Sequence, residues 1–265
     1  MRGYSRRTRH MSSISPVSGY SDYSAYSTIA GGGQITKASQ GASELAVQEK
    51  TKSQVGGLEA GSENLQSAKS ALNIEDGALS GVTDYLQSIK EQSVKAMNAA
   101  LSDEDKQSIQ DQIKQYLKGI EDIAKGTTYN EKPLLDGSTG EMSVATDASG
   151  SSKSITGKDS TLAALGIEDY DVTGDFDISR IDAALDKVSG ARSATGTETN
   201  AVDYAMTYNS HAALELDGFQ ADREEENVVK AYQQLKTQQG LDAYQNILQK
   251  KQMEDNEQQK LSMFM

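Results

Sequence analysis

The stretch VGGLEAGSENLQSAKSALNIEDGALSGVTDYLQSIKEQSVKAM, from Val55 to Met97, decides the fold of this chain. Polar and charged residues fill most of the positions between its apolar residues. The apolar residues recur at intervals of seven, with others placed three residues later, at Leu58, Leu65, Leu72, Leu79, Leu86, Ala68, Val82 and Ile89. This spacing predicts a long amphipathic helix whose apolar stripe must be buried by partner helices.

The overall composition favours thin helical bundles over a thick globular core. Of the 265 residues, 36% are hydrophobic and 6% aromatic, and only 2 are proline. The net charge of −13 argues against nucleic-acid binding, as does the lack of a basic stripe after residue 10. The absence of cysteine excludes disulfides and thiolate metal sites. No apolar run approaches the ~20 residues of a membrane span, and the start lacks the apolar region of a cleaved secretory signal.

A second amphipathic helix is predicted after the first one stops near residues 99–101. Ser102 is placed as its N-cap, with acidic residues in its first turn, and Gly126 as its C-cap. Its apolar stripe consists of Ile109, Ile113, Leu117, Ile120 and Ile123. A short link makes this helix antiparallel to the first.

The chain changes character twice more along its length. Residues 127–177 are rich in turn formers and predict small β-hairpins, with strand pieces at 142–146 and 170–172. Helical periodicity returns at Ile178 and runs toward the C-terminus. Residues 12–41 are rich in Ser, Gly and Tyr with few aliphatic residues, which predicts disorder in the isolated chain.

Clusters that could carry chemistry have simpler interpretations. The acids at 103–105 fit a helix cap, those at 224–226 a solvated face, and Asp175 and Asp177 turn formation. His211 has no neighbouring ligand residue. We therefore nominate no catalytic, cofactor-binding or metal-binding residue.

Several short motifs follow one another along residues 57–200 in an order that resembles one protein family. The hairpin motif is the most specific of them, because Thr128-Tyr129-Asn130 and Leu134-Leu135-Asp136-Gly137 resemble the family's T-x-F-N-G-x-x-L-L-D-G. Further matches are Gly57-Leu58, Ser62, Asn64, Glu75-Asp76-Gly77-Ala78-Leu79, Ser108-Ile109-Gln110, Ala184-Leu185, Val188, Arg192-Ser193, Gly196 and Asn200. The chain thus resembles a short flagellin without the variable outer domains.

This resemblance implies a mainly α fold. It would be an elongated helical-bundle rod with long coiled-coil-like helices and a small β-hairpin region, in which the N- and C-terminal segments pair together. Residues 42–220 would form the rod, including the hairpins at about 127–177. Residues 12–41 and 221–265 would form the inner domain, and 1–11 a basic leader or tag.

The resemblance also assigns residues. The rod core is predicted to contain Leu58, Leu65, Leu72, Leu79, Leu86, Ile109, Ile113, Leu117, Leu185 and Val188. Subunit contacts in a filament are assigned to Glu63, Arg192 and Asn200. Flagellins are recognised by Toll-like receptor 5 through a patch on the first two rod helices, whose equivalents here are Ser88, Lys90, Gln92, Lys95 and Gln112. Polar residues replace the family's Arg, Leu and Glu at Ser88, Gln92 and Gln112, so we expect weakened receptor binding.

The functional expectation is a structural, non-enzymatic filament subunit that self-assembles through its terminal helices. The resemblance implies an extracellular location, export without a cleaved signal, and an export chaperone and cap or junction proteins as partners. Because the terminal segments are more polar than in flagellins, a non-polymerising or minor relative, such as a hook–filament junction protein, is the alternative. A coiled-coil effector or adhesin and an enzyme are the remaining hypotheses.

Overall fold

The computed structural model describes the backbone of residues 18–264 and the side chains of residues 23–262. The elements are helices α1 Ser18–Ala30, α2 Ala38–Ala96 and α3 Asp103–Gly126, strands β1 Thr128–Tyr129, β2 Lys132–Pro133, β3 Glu141–Ala145 and β4 Ser152–Thr156, and helices α4 Leu162–Leu165 and α5 Ser179–Phe264. Long helices with two small antiparallel strand pairs confirm the mainly α fold class. The chain divides into two compact units, residues 53–215 and residues 1–52 with 216–265.

In the unit of residues 53–215, the seam of α2 packs against α3 and α5. Seven of the ten nominated core residues are buried, namely Leu65, Leu72, Leu79, Leu86, Ile113, Leu117 and Val188. Leu58, Ile109 and Leu185 are half-buried. The largest apolar cluster extends from these helices to Leu134 and Leu135 of the hairpin motif and to Ile167. The hairpin region is therefore part of the core of this unit.

Local hydrogen bonds set the ends of the helices. Ser102 and Asp105 form the predicted capping box of α3, in which Asp105 N–H donates to Ser102 Oγ at 3.2 Å and Ser102 N–H donates to Asp105 Oδ2 at 3.1 Å. Helix α2 stops at Ala96, earlier than the predicted residues 99–101. Asn98 explains the difference, because its Oδ1 accepts a hydrogen bond from Ala100 N–H at 3.0 Å and forms a turn in place of another helical step.

The two hairpins are separate antiparallel pairs. Tyr129 lies opposite Lys132 in the first, and Ser143 lies opposite Ser154 in the second. A strand at 142–146 is confirmed as β3, but the strand predicted at 170–172 is wrong. There the amide of Gln110 donates to Tyr170 O at 3.0 Å and accepts from Val172 N–H at 2.9 Å. Because this buried side chain satisfies the backbone groups that a neighbouring strand would bond, the segment needs no strand partner.

The turn between β1 and β2 contains a strained residue, which gives a first prediction. Asn130 and Glu131 have φ values of 49° and 65°, a left-handed conformation that glycine adopts far more readily than glutamate. Glu131→Gly should therefore raise the free energy of unfolding by about 0.5 to 1 kcal/mol, measured by urea denaturation. Glu141→Gly, at an exposed position of β3, should lower the same quantity and serves as the control. A less stable Glu131→Gly protein would contradict the prediction.

The unit formed by residues 1–52 and 216–265 contains the segment 12–41, for which the composition predicts disorder in the isolated chain. Residues 1–17, including the predicted leader 1–11, lie outside the described residues, but residues 18–30 form helix α1. Polar contacts replace the missing aliphatic residues. Gln40 Nε2 donates to Thr28 Oγ1 at 3.2 Å, and Asn227 Nδ2 donates to Gly33 O at 3.2 Å. Arg223 pairs with Glu44, with Nε and Oε1 2.7 Å apart.

Candidate functional site

The receptor-patch equivalents lie on α2 and α3 in the unit of residues 53–215. Ser88 Oγ donates to Asp84 O at 3.0 Å, which turns this hydroxyl back onto its own helix. Lys90 Nζ donates to Asp182 Oδ1 of α5 at 2.5 Å. Lys90 and Lys95 line one shallow depression of about 580 Å³ with Gln87, Glu91 and Val94. Gln92 is half-buried, Gln112 is exposed, and neither lines the depression.

The three nominated subunit-contact residues differ in their availability. Glu63 on α2 and Asn200 on α5 are exposed. Arg192 is engaged within its own chain, since its Nε donates to Asp76 Oδ1 at 3.0 Å, and this hydrogen bond raises the pKa of the guanidinium. Arg192 therefore holds α5 against α2 in the subunit itself.

A buried polar cluster, which the sequence analysis missed, holds the β3–β4 hairpin at its base. It consists of Glu75 on α2, Lys158 just after β4, and Thr195 and Glu198 on α5, and is called the Glu75 cluster below. Thr195 Oγ1 donates to Glu75 Oε1 at 2.5 Å. Lys158 Nζ lies 2.9 Å from Glu198 Oε1 and 3.9 Å from Glu75 Oε1. One ammonium group thus sits between two carboxylates from the two helices.

Burial dominates the electrostatics of this cluster. Only 1% of the Glu75 side chain and 12% of the Lys158 side chain are exposed. Burial raises the pKa of the Glu75 carboxyl, while the Thr195 hydroxyl and the Lys158 charge partly counter that rise. The folded state therefore holds a proton on Glu75 more tightly than the unfolded chain does.

The tip of the same hairpin is held between the two long helices. Asn209 Nδ2, on α5, donates to Thr146 O at 2.7 Å and to Leu58 O at 3.3 Å. The tip comes so close to α2 that a Cβ built on Gly61 would lie 1.8 Å from Thr146 O. Glycine at this position is thus what allows the backbone of the hairpin to reach the helix.

A signal for these attachment points was present in the heptad spacing. Glu75 stands seven residues after Ala68 and seven before Val82, in the apolar seam of α2. Thr195 and Asn209 occupy the equivalent series of α5, whose members are Ile181, Val188, Thr195, Val202 and Asn209. A polar residue at a seam position is costly unless a partner satisfies it, so each such interruption marks a place where another segment enters the bundle.

These features define the class of the protein: a helical bundle of discontinuous segments with a hairpin fastened across its two long helices. Helices that could span a membrane do not occur in the described part of the chain. The profile of the bacterial flagellin N-terminal helical region matches residues 23–140. The flagellar filament 33 kDa core protein of Treponema phagedenis is 30% identical over 213 residues, covering 71% of this chain and 73% of that protein. The chain belongs to the bacterial flagellin family.

Two further comparisons agree with this family assignment. The flagellar filament 31.3 kDa core protein of Treponema maltophilum is 35% identical over 120 residues, and the match covers 44% of this chain and only 42% of that protein. The crystal structure of Bacillus cereus flagellin shares the fold, with a TM-score of 0.51 and 22% identity over 56% of this chain and 88% of that chain. These comparisons confirm the resemblance identified in the sequence.

Proposed function

We propose that this chain is a structural subunit of the bacterial flagellar filament, an extracellular appendage, and polymerises with further copies of itself. The observation that carries the proposal is the 30% identity to a flagellar filament core protein along 71% of the chain. Flagellins are structural proteins, and on this proposal the chain has no catalytic role. Its rigid part is then the bundle of residues 53–215, stiffened by the fastened hairpin.

The terminal segments are proposed to complete the inner domain when subunits assemble. On this proposal residues 12–41 and 221–265 form that domain and residues 42–220 the rod. Support comes from apolar side chains that α5 leaves 40% to 66% exposed in this part of the chain, namely Val229, Tyr232, Leu241, Tyr244, Ile247, Leu248, Met253 and Leu261. Exposed apolar side chains in such number on one helix favour a partner surface in the assembled state.

Export and accessory partners follow from the family. We propose export by the flagellar apparatus without a cleaved signal, with an export chaperone before assembly and cap or junction proteins at the filament ends. The exposed apolar side chains of α5 support a chaperone, because they would otherwise favour premature association.

The polymerisation of the purified full chain tests the proposal. The protein would be seeded with a precipitating salt, pelleted by ultracentrifugation and inspected by electron microscopy. Filaments of uniform width are expected. A protein that stays monomeric under every condition would overturn the filament role and favour the non-polymerising relative.

Weak recognition by Toll-like receptor 5 is a second part of the proposal. Ser88 and Gln92 on α2 and Gln112 on α3 stand where flagellins carry Arg, Leu and Glu, and Lys90 is engaged by Asp182. Loss of a single arginine anchor typically costs an interface about 2 kcal/mol or more, which is about 30-fold in affinity.

Restoring the three side chains tests this part. The triple variant Ser88→Arg, Gln92→Leu, Gln112→Glu should bind the receptor ectodomain at least about 30-fold more tightly than the natural sequence in a surface-binding assay. A control variant, Lys118→Arg, changes an exposed position on α3 outside the patch and should leave binding unchanged. Nanomolar binding by the natural sequence would show that recognition is not weakened.

A further inference from the structure

Both outer edges of the β3–β4 hairpin are only partly covered by other segments. In an antiparallel pair, the residues alternate between those that bond across the pair and those whose N–H and C=O groups point outward. Thr146 N–H donates to Ser151 O at 2.8 Å, and the pairing register places Val144 and Met142 in the same inward-bonding set. Glu141, Ser143 and Ala145 therefore direct their backbone groups to the outer edge of β3.

Side chains of the Glu75 cluster cover the outer edge of β4 at Thr156, whereas the outward backbone groups of Ser152 and Ser154 have no hydrogen-bond partner among the described residues. Lys158 Nζ donates to Thr156 O at 2.6 Å, and Thr156 N–H donates to Glu198 Oε2 at 3.5 Å. The outer edge of β3 receives only the amide of Asn64, which donates to Ala145 O at 3.3 Å. Within the described residues, Ser143 N–H and C=O have no hydrogen-bond partner. An open strand edge of this kind is a template for pairing with another extended segment.

A groove of about 470 Å³ runs beside the outer edge of β3, between β3, α2 and the first hairpin, and neither Ser152 nor Ser154 lines it. Small side chains of α2 line one wall, including Ser67, Ala68 and Ala71. Lys132 is the charged side chain among the described lining residues, and it forms no ion pair in the described part of the chain. The groove is therefore shaped for a slim extended segment that carries an acidic side chain.

We propose that the groove binds the loop Thr173–Phe176 of a second copy of this chain, which pairs with the outer edge of β3 and places Asp175 against Lys132. The inference rests on the proposed filament function. This loop bends at residues 172–175 and is largely exposed, and the backbone groups of Gly174 and Asp175 form no hydrogen bond among the described residues. The loop thus offers hydrogen-bond donors and acceptors to an edge whose own backbone groups lack partners. Strand addition of this type draws its affinity from main-chain hydrogen bonds.

The positions of the two surfaces determine what such a contact builds. The groove lies beside residues 64–71 of α2, whereas the loop follows Tyr170, whose hydroxyl donates to Ser93 of the same helix at 2.9 Å. A separation of about 22 residues along α2 corresponds to about 33 Å at 1.5 Å per residue. Since the groove and the loop are different patches, the contact is heterologous and adds copies head to tail, as growth of a filament requires.

The matched pair Ser143→Pro and Ser154→Pro tests the edge. These residues lie opposite each other in the register, both are exposed, and both direct their N–H outward, so proline removes one outward donor without breaking the pair. Ser143→Pro should raise the critical concentration for polymerisation about tenfold, whereas Ser154→Pro should leave it near the natural value. Urea unfolding of both variants verifies that each one folds.

A charge exchange tests the occupant independently of proline. Lys132→Glu and Asp175→Lys should each raise the critical concentration about fivefold, and the double variant should restore it. If the natural sequence forms filaments but Ser143→Pro and Ser154→Pro assemble equally well, the edge contact is wrong while the filament function stands. If the proline variants behave as expected but the double variant Lys132→Glu, Asp175→Lys does not restore assembly, Asp175 is not the partner of Lys132. The proposed occupant is then overturned. If the natural sequence forms no filaments, the proposed function fails, and this inference fails with it.

Discussion

Replacing Lys158 by methionine should lower the free energy of unfolding by about 4 kcal/mol at pH 7, the largest effect we expect from a single substitution in this chain. The ammonium group lies between the carboxylates of Glu75 and Glu198, and all three side chains are largely withdrawn from solvent. Removing one partner of a buried ion pair typically costs 3–5 kcal/mol, because the remaining charge stays buried without compensation. Methionine keeps the length and the apolar stem of the side chain, so the loss is mainly electrostatic.

This loss should depend on pH in a defined direction. Burial raises the pKa of Glu75 above its ordinary 4.5, so its contribution to stability is fully present below 4.5 and is lost as the pH rises through the folded-state pKa. Lys158 is one of the groups that counter the rise, so its removal raises the pKa of Glu75 further. The deficit of Lys158→Met should accordingly shrink as the pH falls from 7 toward 4.5, where Glu75 becomes neutral.

Urea unfolding at several pH values between 4.5 and 8 measures both effects. Lys118→Met is the matched control, because Lys118 pairs with Asp122 at 3.5 Å on the surface of α3, and such pairs contribute about 0.5 kcal/mol or less. The double variant Glu75→Gln, Lys158→Met should show a weaker pH dependence of the free energy of unfolding than Lys158→Met alone, because the titrating carboxyl is absent. If Lys158→Met unfolds within about 1 kcal/mol of the natural protein at pH 7, the cluster does not hold the hairpin as described.

Gly61→Ala should lower the free energy of unfolding by about 3 kcal/mol, although alanine is the better helix former. The added Cβ would lie 1.8 Å from the carbonyl oxygen of Thr146 and 2.3 Å from its carbon. Both are backbone atoms, so the hairpin tip must move away from α2. That movement breaks the hydrogen bond from Asn209, whose amide is then buried without its partner.

Gly56→Ala provides the control for this substitution. It makes the same change on the same helix, five residues earlier, and a Cβ there meets nothing within 4 Å. It should raise stability by up to about 1 kcal/mol through helix propensity alone. Hydrogen exchange would add a local measurement, because the amides of β3 and β4 should lose protection in Gly61→Ala and keep it in Gly56→Ala. Equal stability of the two variants would contradict the docked position of the hairpin tip.

The helical part of the fold was largely predictable from local patterns. Ser102 and Asp105 are only three residues apart at the start of α3, so their capping box is visible in four consecutive residues. The seam of α2 likewise depends on spacing within one helix. The prediction of a strand at Tyr170–Val172 was wrong because the structure of that segment depends on a residue far away in the sequence. The backbone of the segment is satisfied by Gln110, which stands 60 residues earlier, and no local pattern reports such a partner.

The candidate site shows the same division. The sequence resemblance nominated Ser88, Gln92 and Arg192 by position, but it did not reveal that the hydroxyl of Ser88 bonds its own helix or that Asp76 engages Arg192. The outer edge of β3 was also not predictable, because its openness depends on which side chains of α2 and α5 reach each strand.

By itself, the sequence determined the mainly α class, the long seam, the second helix with its cap, the hairpin at 128–137 and the flagellin family, since each depends on residues close together in the chain. Tertiary structure alone decided what the irregular seam positions do. Glu75, Thr195 and Asn209 lie in apolar series, and Gly61 weakens a helix, so each one is unfavourable locally. Glu75 and Thr195 are stable in place because they hydrogen-bond each other and Lys158, just after β4, lies 3.9 Å from the Glu75 carboxylate. Asn209 and Gly61 are explained by the tip of the hairpin, which supplies a hydrogen-bond acceptor to the first and a close backbone contact to the second.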